Sequence, residues 1–117
     1  MTFGLREIAA KGKQFLLNGR PIMFRGVNRH EHDDRHGKTI DEASMIADIR
    51  LMKQFNINAV RTSHYPDDTL WYQLCDEYGL YLIDEANIES HGMGYGAESL
   101  AKDASWEAAH LDRIVRM

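Results

Sequence analysis

The sequence predicts an α/β fold organised on a parallel sheet, and three observations predict it. Short apolar runs alternate with stretches of helical period, a two-residue turn signal sets a hairpin ahead of them, and each of three apolar runs ends in a dense polar cluster. The order is strand, helix, strand, helix, strand, loop, helix, with connections short enough for right-handed βαβ units.

In Phe15-Leu16-Leu17-Asn18-Gly19-Arg20-Pro21-Ile22-Met23-Phe24, two apolar runs flank Asn-Gly, the strongest short-range signal for a two-residue hairpin turn. Residues 22–27 are apolar apart from Arg25 and Gly26, so the first parallel strand is expected there, ending in Asn28-Arg29-His30-Glu31-His32. Thr39-Ile40-Asp41-Glu42 fits a capping box, a hydroxyl followed three residues later by a carboxylate, and predicts a helix start. Met45, Ile49 and Met52 follow at i, i+4 and i+7, Ile46 and Phe55 widen the stripe, and Asp48, Arg50 and Lys53 point elsewhere. Residues 57–62 read as a short buried strand running into Ser63-His64-Tyr65-Pro66. Leu70, Trp71, Leu74, Cys75 and Tyr78 have helical spacing, and Gly79 stands where a glycine stops a helix. Residues 80–83 are continuously apolar, as a parallel strand covered on both faces should be, and lead into Asp84-Glu85-Ala86-Asn87-Ile88-Glu89-Ser90-His91. After a loop with Gly92, Gly94 and Gly96, Ser105 is expected to cap a last helix with Trp106, His110 and Ile114 along one side. That helix carries no stop signal before Met117, which is the expectation for a sequence that continues.

With 117 residues, 44% of them hydrophobic, there is material for one domain core. Eighteen acidic against fourteen basic side chains, a formal charge of −4, argue against a nucleic-acid partner. The expectation is likewise of no membrane partner, since no run approaches the roughly eighteen apolar residues a spanning helix needs. Met1 to Ala10 carry no secretory signal, so a cytoplasmic location is expected. The single cysteine, Cys75, reads as a small buried hydrophobe. Of six histidines, His30, His32, His64 and His91 fall at expected strand ends, where parallel α/β folds keep their sites. No glycine-rich phosphate loop follows the first strand, which weakens a nucleotide-binding reading but leaves barrel and doubly wound sheet both open.

Asn58-Ala59-Val60-Arg61-Thr62-Ser63-His64-Tyr65-Pro66, followed by Trp71-Tyr72, Asp76, Gly79 and Leu80-Tyr81-Leu82-Ile83, resembles the first signature of glycoside hydrolase family 2. Arg25-Gly26-Val27-Asn28-Arg29-His30-Glu31-His32 resembles that family's first barrel strand, and the Asp84 to Gly92 segment its third, so the match is co-linear over most of the chain. The resemblance implies the N-terminal portion of a (β/α)₈ (TIM) barrel, roughly its first three βα units, preceded by a short β-hairpin. Residues 1–20 would be a lead-in from a preceding β-sandwich region, and residues 21–117 a partial catalytic barrel domain. The family's β-glucuronidases share Arg-Thr-Ser-His-Tyr-Pro, but Asn87-Ile88-Glu89-Ser90-His91-Gly92 is similar to its β-galactosidases. Implied are a retaining hydrolase acting on terminal β-galactosides such as lactose, with acid/base and nucleophile glutamates beyond Met117, and a homo-oligomeric full enzyme whose remaining barrel is this segment's partner.

By the same resemblance, Glu89 and His91 are candidate ligands of Mg²⁺, with Mn²⁺ also acceptable and Na⁺ assigned no ligand in this chain. A Glu-x-His pair taken alone is weak, and an imidazole is a second-best donor to magnesium. His30 and His64 match positions that bind sugar hydroxyls and steady the transition state. Arg61 is expected to orient a carboxylate, the nucleophile's in particular, with a structural ion pair as the alternative. Asp84 and Glu85 are not read as an acid/base pair, because neighbours on a strand point to opposite faces. Tyr65, Trp71 and Trp106 are candidates for sugar stacking, although Trp71 lies on an apolar stripe and reads as core. Competing readings are a carbohydrate-binding or complementing segment and a stand-alone βαβ domain, the last disfavoured by the exposed edges of a three-stranded sheet.

Overall fold

The computed structural model describes residues 4–117, and residues 1–3 of the expected lead-in lie outside them. Strands β1 (Ile8–Lys11), β2 (Gln14–Leu17) and β3 (Arg20–Pro21) form an antiparallel meander with Ile8 opposite Leu17 and Leu17 opposite Arg20. Asn18 and Gly19 turn β2 into β3 at φ of 50° and 75°, the left-handed values that a two-residue hairpin turn requires. The Asn18 side-chain oxygen accepts from the Glu7 N–H at 2.9 Å and steadies the turn.

The second sheet is parallel, in the order β4 (Gly26–Arg29), β5 (Ala59–Thr62), β6 (Tyr81–Ile83). β4 begins later than the apolar run 22–27 suggests. Ile22 still donates to Phe15 of the hairpin at 3.0 Å, while the Asn58 side chain donates to the Met23 carbonyl at 2.9 Å and accepts from the Arg25 N–H at 2.7 Å. One apolar run thus serves two sheets, and hydrophobicity alone does not mark where the ladder partner changes. A Cβ on Gly26 would sit 3.2 Å from Ala59 Cβ and O, so glycine lets β4 and β5 approach at that point.

Helix α1 (Glu42–Gln54) is capped by Asp41, whose carboxylate accepts from the Ser44 N–H at 2.8 Å, and Thr39 lies before the cap. The cap thus lies two residues beyond the expected Thr39, because the Asp41 carboxylate reaches the N–H groups of the first turn. Met45, Ile49 and Met52 are buried as their spacing predicts, whereas Phe55, at the C-cap, is 71% exposed. Helix α2 (Thr69–Tyr78) starts at Asp68, which accepts from the Leu70 N–H at 2.8 Å, and stops at Gly79 with φ 72°. Trp71, Leu74 and Cys75 face inward. Both helices pack on one side of the parallel sheet, against the row Val27, Val60 and Leu82, and this layer is the core. Burial pushes the Cys75 thiol up to about 12, so it behaves as an apolar filler.

Three short 3₁₀ turns follow β6, at His91–Met93, Leu100–Lys102 and Ala104–Trp106, before α3 (Glu107–Arg116). Ser105 does not cap α3. It lies inside the last turn, where Asp103 accepts from its N–H at 2.9 Å. Among the described residues no helix is long and apolar enough to cross a membrane.

Arg29, at the end of β4, is only 5% exposed and ties these pieces together. Its Nε donates to Asp48 of α1 at 2.9 Å, its Nη1 to Asp67 ahead of α2 at 2.7 Å, and Glu31 lies 3.7 Å away. Its guanidinium carbon stands 3.8 Å over the Trp71 ring, a cation–π contact from β4 to α2. One cation facing three carboxylates leaves the cluster negative. Burial first, and Glu31 second, therefore push the Asp67 carboxyl up to about 6 against the attraction of Arg29.

Two outcomes follow for stability. Ile49→Ala, at a wholly buried position, should cost about 2–5 kcal/mol in denaturant unfolding, and a loss under about 1 kcal/mol would mean that the α1 face is not core. Because the folded-state value of Asp67 is raised, its contribution to stability is present below the ordinary carboxylate range and is lost as pH rises through about 6. The stability difference between parent and Asp67→Asn, followed by melting from pH 5 to 7.5, should move against the parent as pH rises; a shift the other way contradicts the assignment.

Candidate functional site

The C-terminal ends of β4, β5 and β6 lie side by side because the register pairs Asn28 with Arg61 and Arg61 with Ile83. Alternation then sorts the polar residues that follow. Thr62 and Asp84 face the helices. The Thr62 hydroxyl donates to Asp84 Oδ1 at 2.9 Å and accepts from the Glu85 N–H at 2.9 Å, and the Tyr72 hydroxyl donates to the same Asp84 oxygen at 3.0 Å. Burial, then the hydrogen bond to Asp84, push the Tyr72 phenol up to about 12, which keeps it a donor. Asp84 is therefore a fixed acceptor that holds the end of β6 to β5 and α2.

Arg61 and Glu85 lie on the other face. Arg61 Nη2 donates to Glu85 Oε1 at 2.9 Å and lies in ion-pair contact with Oε2 at 2.8 Å, and Arg61 Nη1 reaches Asn28 Oδ1 at 3.4 Å. His64 Nδ1 lies 3.0 Å from Glu85 Oε1 and 3.2 Å from Oε2. His64 Nε2 faces Glu89 Oε1 at 3.4 Å, and His91 Nδ1 touches that oxygen at 2.9 Å. The His30 ring meets the His64 ring edge to face, centroids 5.4 Å apart. His91 stacks on Tyr95 at 5.8 Å with the planes 10° apart.

The structure thus brings His30, Arg61, His64, Glu89 and His91 into one chain of contacts along the strand ends. Glu85 joins them, a residue the sequence does not single out because it neighbours Asp84 on a strand whose side chains alternate. Its signal is periodic: Ile83 pairs with Arg61, and Glu85, two residues on, shares that face. Tyr65 is held by a clamp, its hydroxyl accepting from the Glu31 N–H at 3.1 Å and from Lys38 Nζ, with the Lys38 ammonium over its ring. Trp71 is fully buried under Arg29 and Trp106 lies beside His110, so neither joins the row.

Glu89 Oε1 and His91 Nδ1 are separated by about the spacing of adjacent corners of a magnesium octahedron, roughly 3 Å for bonds of about 2.1 Å. Among the described residues no group of three His, Cys, Asp or Glu converges to hold a metal ion. Glu89 and His91 are donors of kinds that a divalent cation can take, and at 2.9 Å they contact each other directly.

The family described as glycosyl hydrolases family 2, TIM barrel domain, matches residues 8–117. Among solved structures, the Faecalibacterium prausnitzii β-glucuronidase is 45% identical with a TM-score of 0.71, over 73% of this chain and 14% of that one. The Bifidobacterium dentium β-glucuronidase complexed with coumarin-3-O-glucuronide is 40% identical with a TM-score of 0.69, over 71% and 13%. A Ruminococcus gnavus β-glucuronidase is 39% identical with a TM-score of 0.68, over 70% and 14%. The chain spans about one seventh of the length of the structures it matches.

Thr62→Val removes a buried hydroxyl that Asp84 and Glu85 both use, and should cost about 1–3 kcal/mol in denaturant unfolding. Unchanged stability would show that this hydroxyl does not hold the end of β6.

Proposed function

The chain belongs to glycosyl hydrolase family 2, and from that premise we propose that it is the first part of the catalytic barrel of a retaining glycosidase. The observation that carries the reading is the row of His30, Arg61, His64, Glu85, Glu89 and His91 along the strand ends, the face on which barrel enzymes keep their sites. In this reading the longer enzyme opens a terminal β-glycosidic bond in two displacements. A glutamic acid protonates the leaving oxygen while a glutamate attacks the anomeric carbon, and water then releases the sugar with retention. Both glutamates come from segments beyond Met117. This chain contributes the subsite: His30 and His64 hydrogen-bond sugar hydroxyls, most strongly as the ring flattens toward the oxocarbenium-like transition state. The Arg61 N–H groups not engaged by Glu85 and Asn28 orient the nucleophile's carboxylate.

Glu89 and His91 would hold Mg²⁺ or Mn²⁺, which when bound supplies positive charge beside the reacting carboxylates. No residue here is assigned to Na⁺. The sugar is galactose on the strength of Asn87-Ile88-Glu89-Ser90-His91-Gly92. A β-glucuronide is the second reading, favoured by β-glucuronidase structures that are 38–45% identical.

The test is hydrolysis of paired chromogenic β-galactoside and β-glucuronide substrates by the full enzyme carrying this segment, with and without chelator. Faster turnover of the galactoside, lowered by chelator and restored by Mg²⁺, is expected. Preference for the glucuronide selects the second reading, and turnover of neither removes both.

A further inference from the structure

We propose that Glu85 is the positioning residue that sets the aim of the His64 ring, an inference that rests on the glycosidase reading above. Imidazole nitrogens are not equivalent, and the partner of one decides what the other can do. Around His64 Nδ1 stand both oxygens of Glu85, at 3.0 and 3.2 Å, and one guanidinium nitrogen of Arg61, at 3.2 Å. If Nδ1 carried a lone pair it would face two carboxylate oxygens, and a single contact to Arg61 does not offset that repulsion. If Nδ1 carries the proton, it donates to Glu85, and Arg61 Nη2 donates to Oε1 of the same carboxylate at 2.9 Å. The second arrangement satisfies all three groups and leaves Nε2 as the ring atom turned away from Glu85.

That carboxylate is itself held in place. The Glu85 N–H donates to the Thr62 hydroxyl at 2.9 Å, and Arg61 fixes the rotation of its carboxyl group. The Glu85 side chain is 22% exposed and that of His64 24%, so the pair lies below the outermost residues of the strand ends. Nε2 points away from Glu85 and lies 3.4 Å from Glu89 Oε1, so it is the ring nitrogen presented to a sugar hydroxyl. Glu85 touches no substrate in this arrangement. Its effect passes through His64.

A double-mutant cycle in the full enzyme, read as kcat/KM on the preferred chromogenic glycoside, tests this. Glu85→Gln should lower kcat/KM by about 10–100-fold, the range found when the partner of an oriented histidine is removed. The loss should fall on kcat more than on KM, since a contact tightened in the transition state is weakened. In a His64→Phe background the same substitution should change kcat/KM by less than about threefold, because the group it acts through is gone. Glu85→Asp, which keeps the charge but withdraws it by one methylene, should give a smaller loss with the same dependence on His64. Circular dichroism checks that each variant folds. Equal losses in both backgrounds, or failure of both Glu85 variants to fold, overturn the proposal and make Glu85 a residue of the fold. Those outcomes with an active parent leave the glycosidase reading intact, whereas a parent inactive on every β-glycoside tried overturns that reading and this inference with it.

Discussion

The buried guanidinium of Arg29 is the contact on which the arrangement depends. It ends β4, bonds Asp48 on α1 and Asp67 ahead of α2, and lies on the Trp71 ring of α2, so both βα layers meet at one side chain. An uncompensated charge there would be expensive, and several partners with good geometry make burial tolerable. Such an ion cluster is weak support for stability in itself. What it supplies is placement, since α1, α2 and the end of β4 must all be in position before its hydrogen bonds can form.

From that anchor the alternation of side chains separates structural from chemical polarity. On the helix side, Thr62, Tyr72 and Asp84 satisfy one another and fasten the end of β6. On the opposite side, Arg61, His64 and Glu85 satisfy one another yet stay partly exposed. The same dipeptide, Asp84-Glu85, contributes one member to each set. The peptide between Asp84 and Glu85 is therefore pinned from one side while the side chain that follows works on the other.

The helix-facing apolar row and the polar row sit on the same three strands, and their demands differ. Val27, Val60 and Leu82 must match the methionines of α1 and the Trp71 face of α2 in volume, which close packing enforces. The polar row requires only that three strand ends stay in register. Gly26 serves that register by allowing β4 to lie close against Ala59.

By itself the sequence determined what depends on local spacing. Asn18-Gly19 specified its turn through φ, Gly79 its helix stop, and the i, i+4, i+7 methionines and isoleucine their buried face, because each of these signals acts within a few residues. It also placed His30, Arg61, His64, Glu89 and His91 at strand ends, where motif and topology agree. Only the tertiary structure decided what depends on partners far apart in the chain. Residues 22–25 left the parallel strand because Phe15 of the hairpin holds Ile22 and the Asn58 side chain, more than thirty positions away, holds the backbone of Met23 and Arg25. Arg29 became a buried hub because Asp48 and Asp67, from separate elements, both bond its guanidinium. Glu85 became the link between Arg61 and His64 because β5 and β6 pair in a register that no local pattern states.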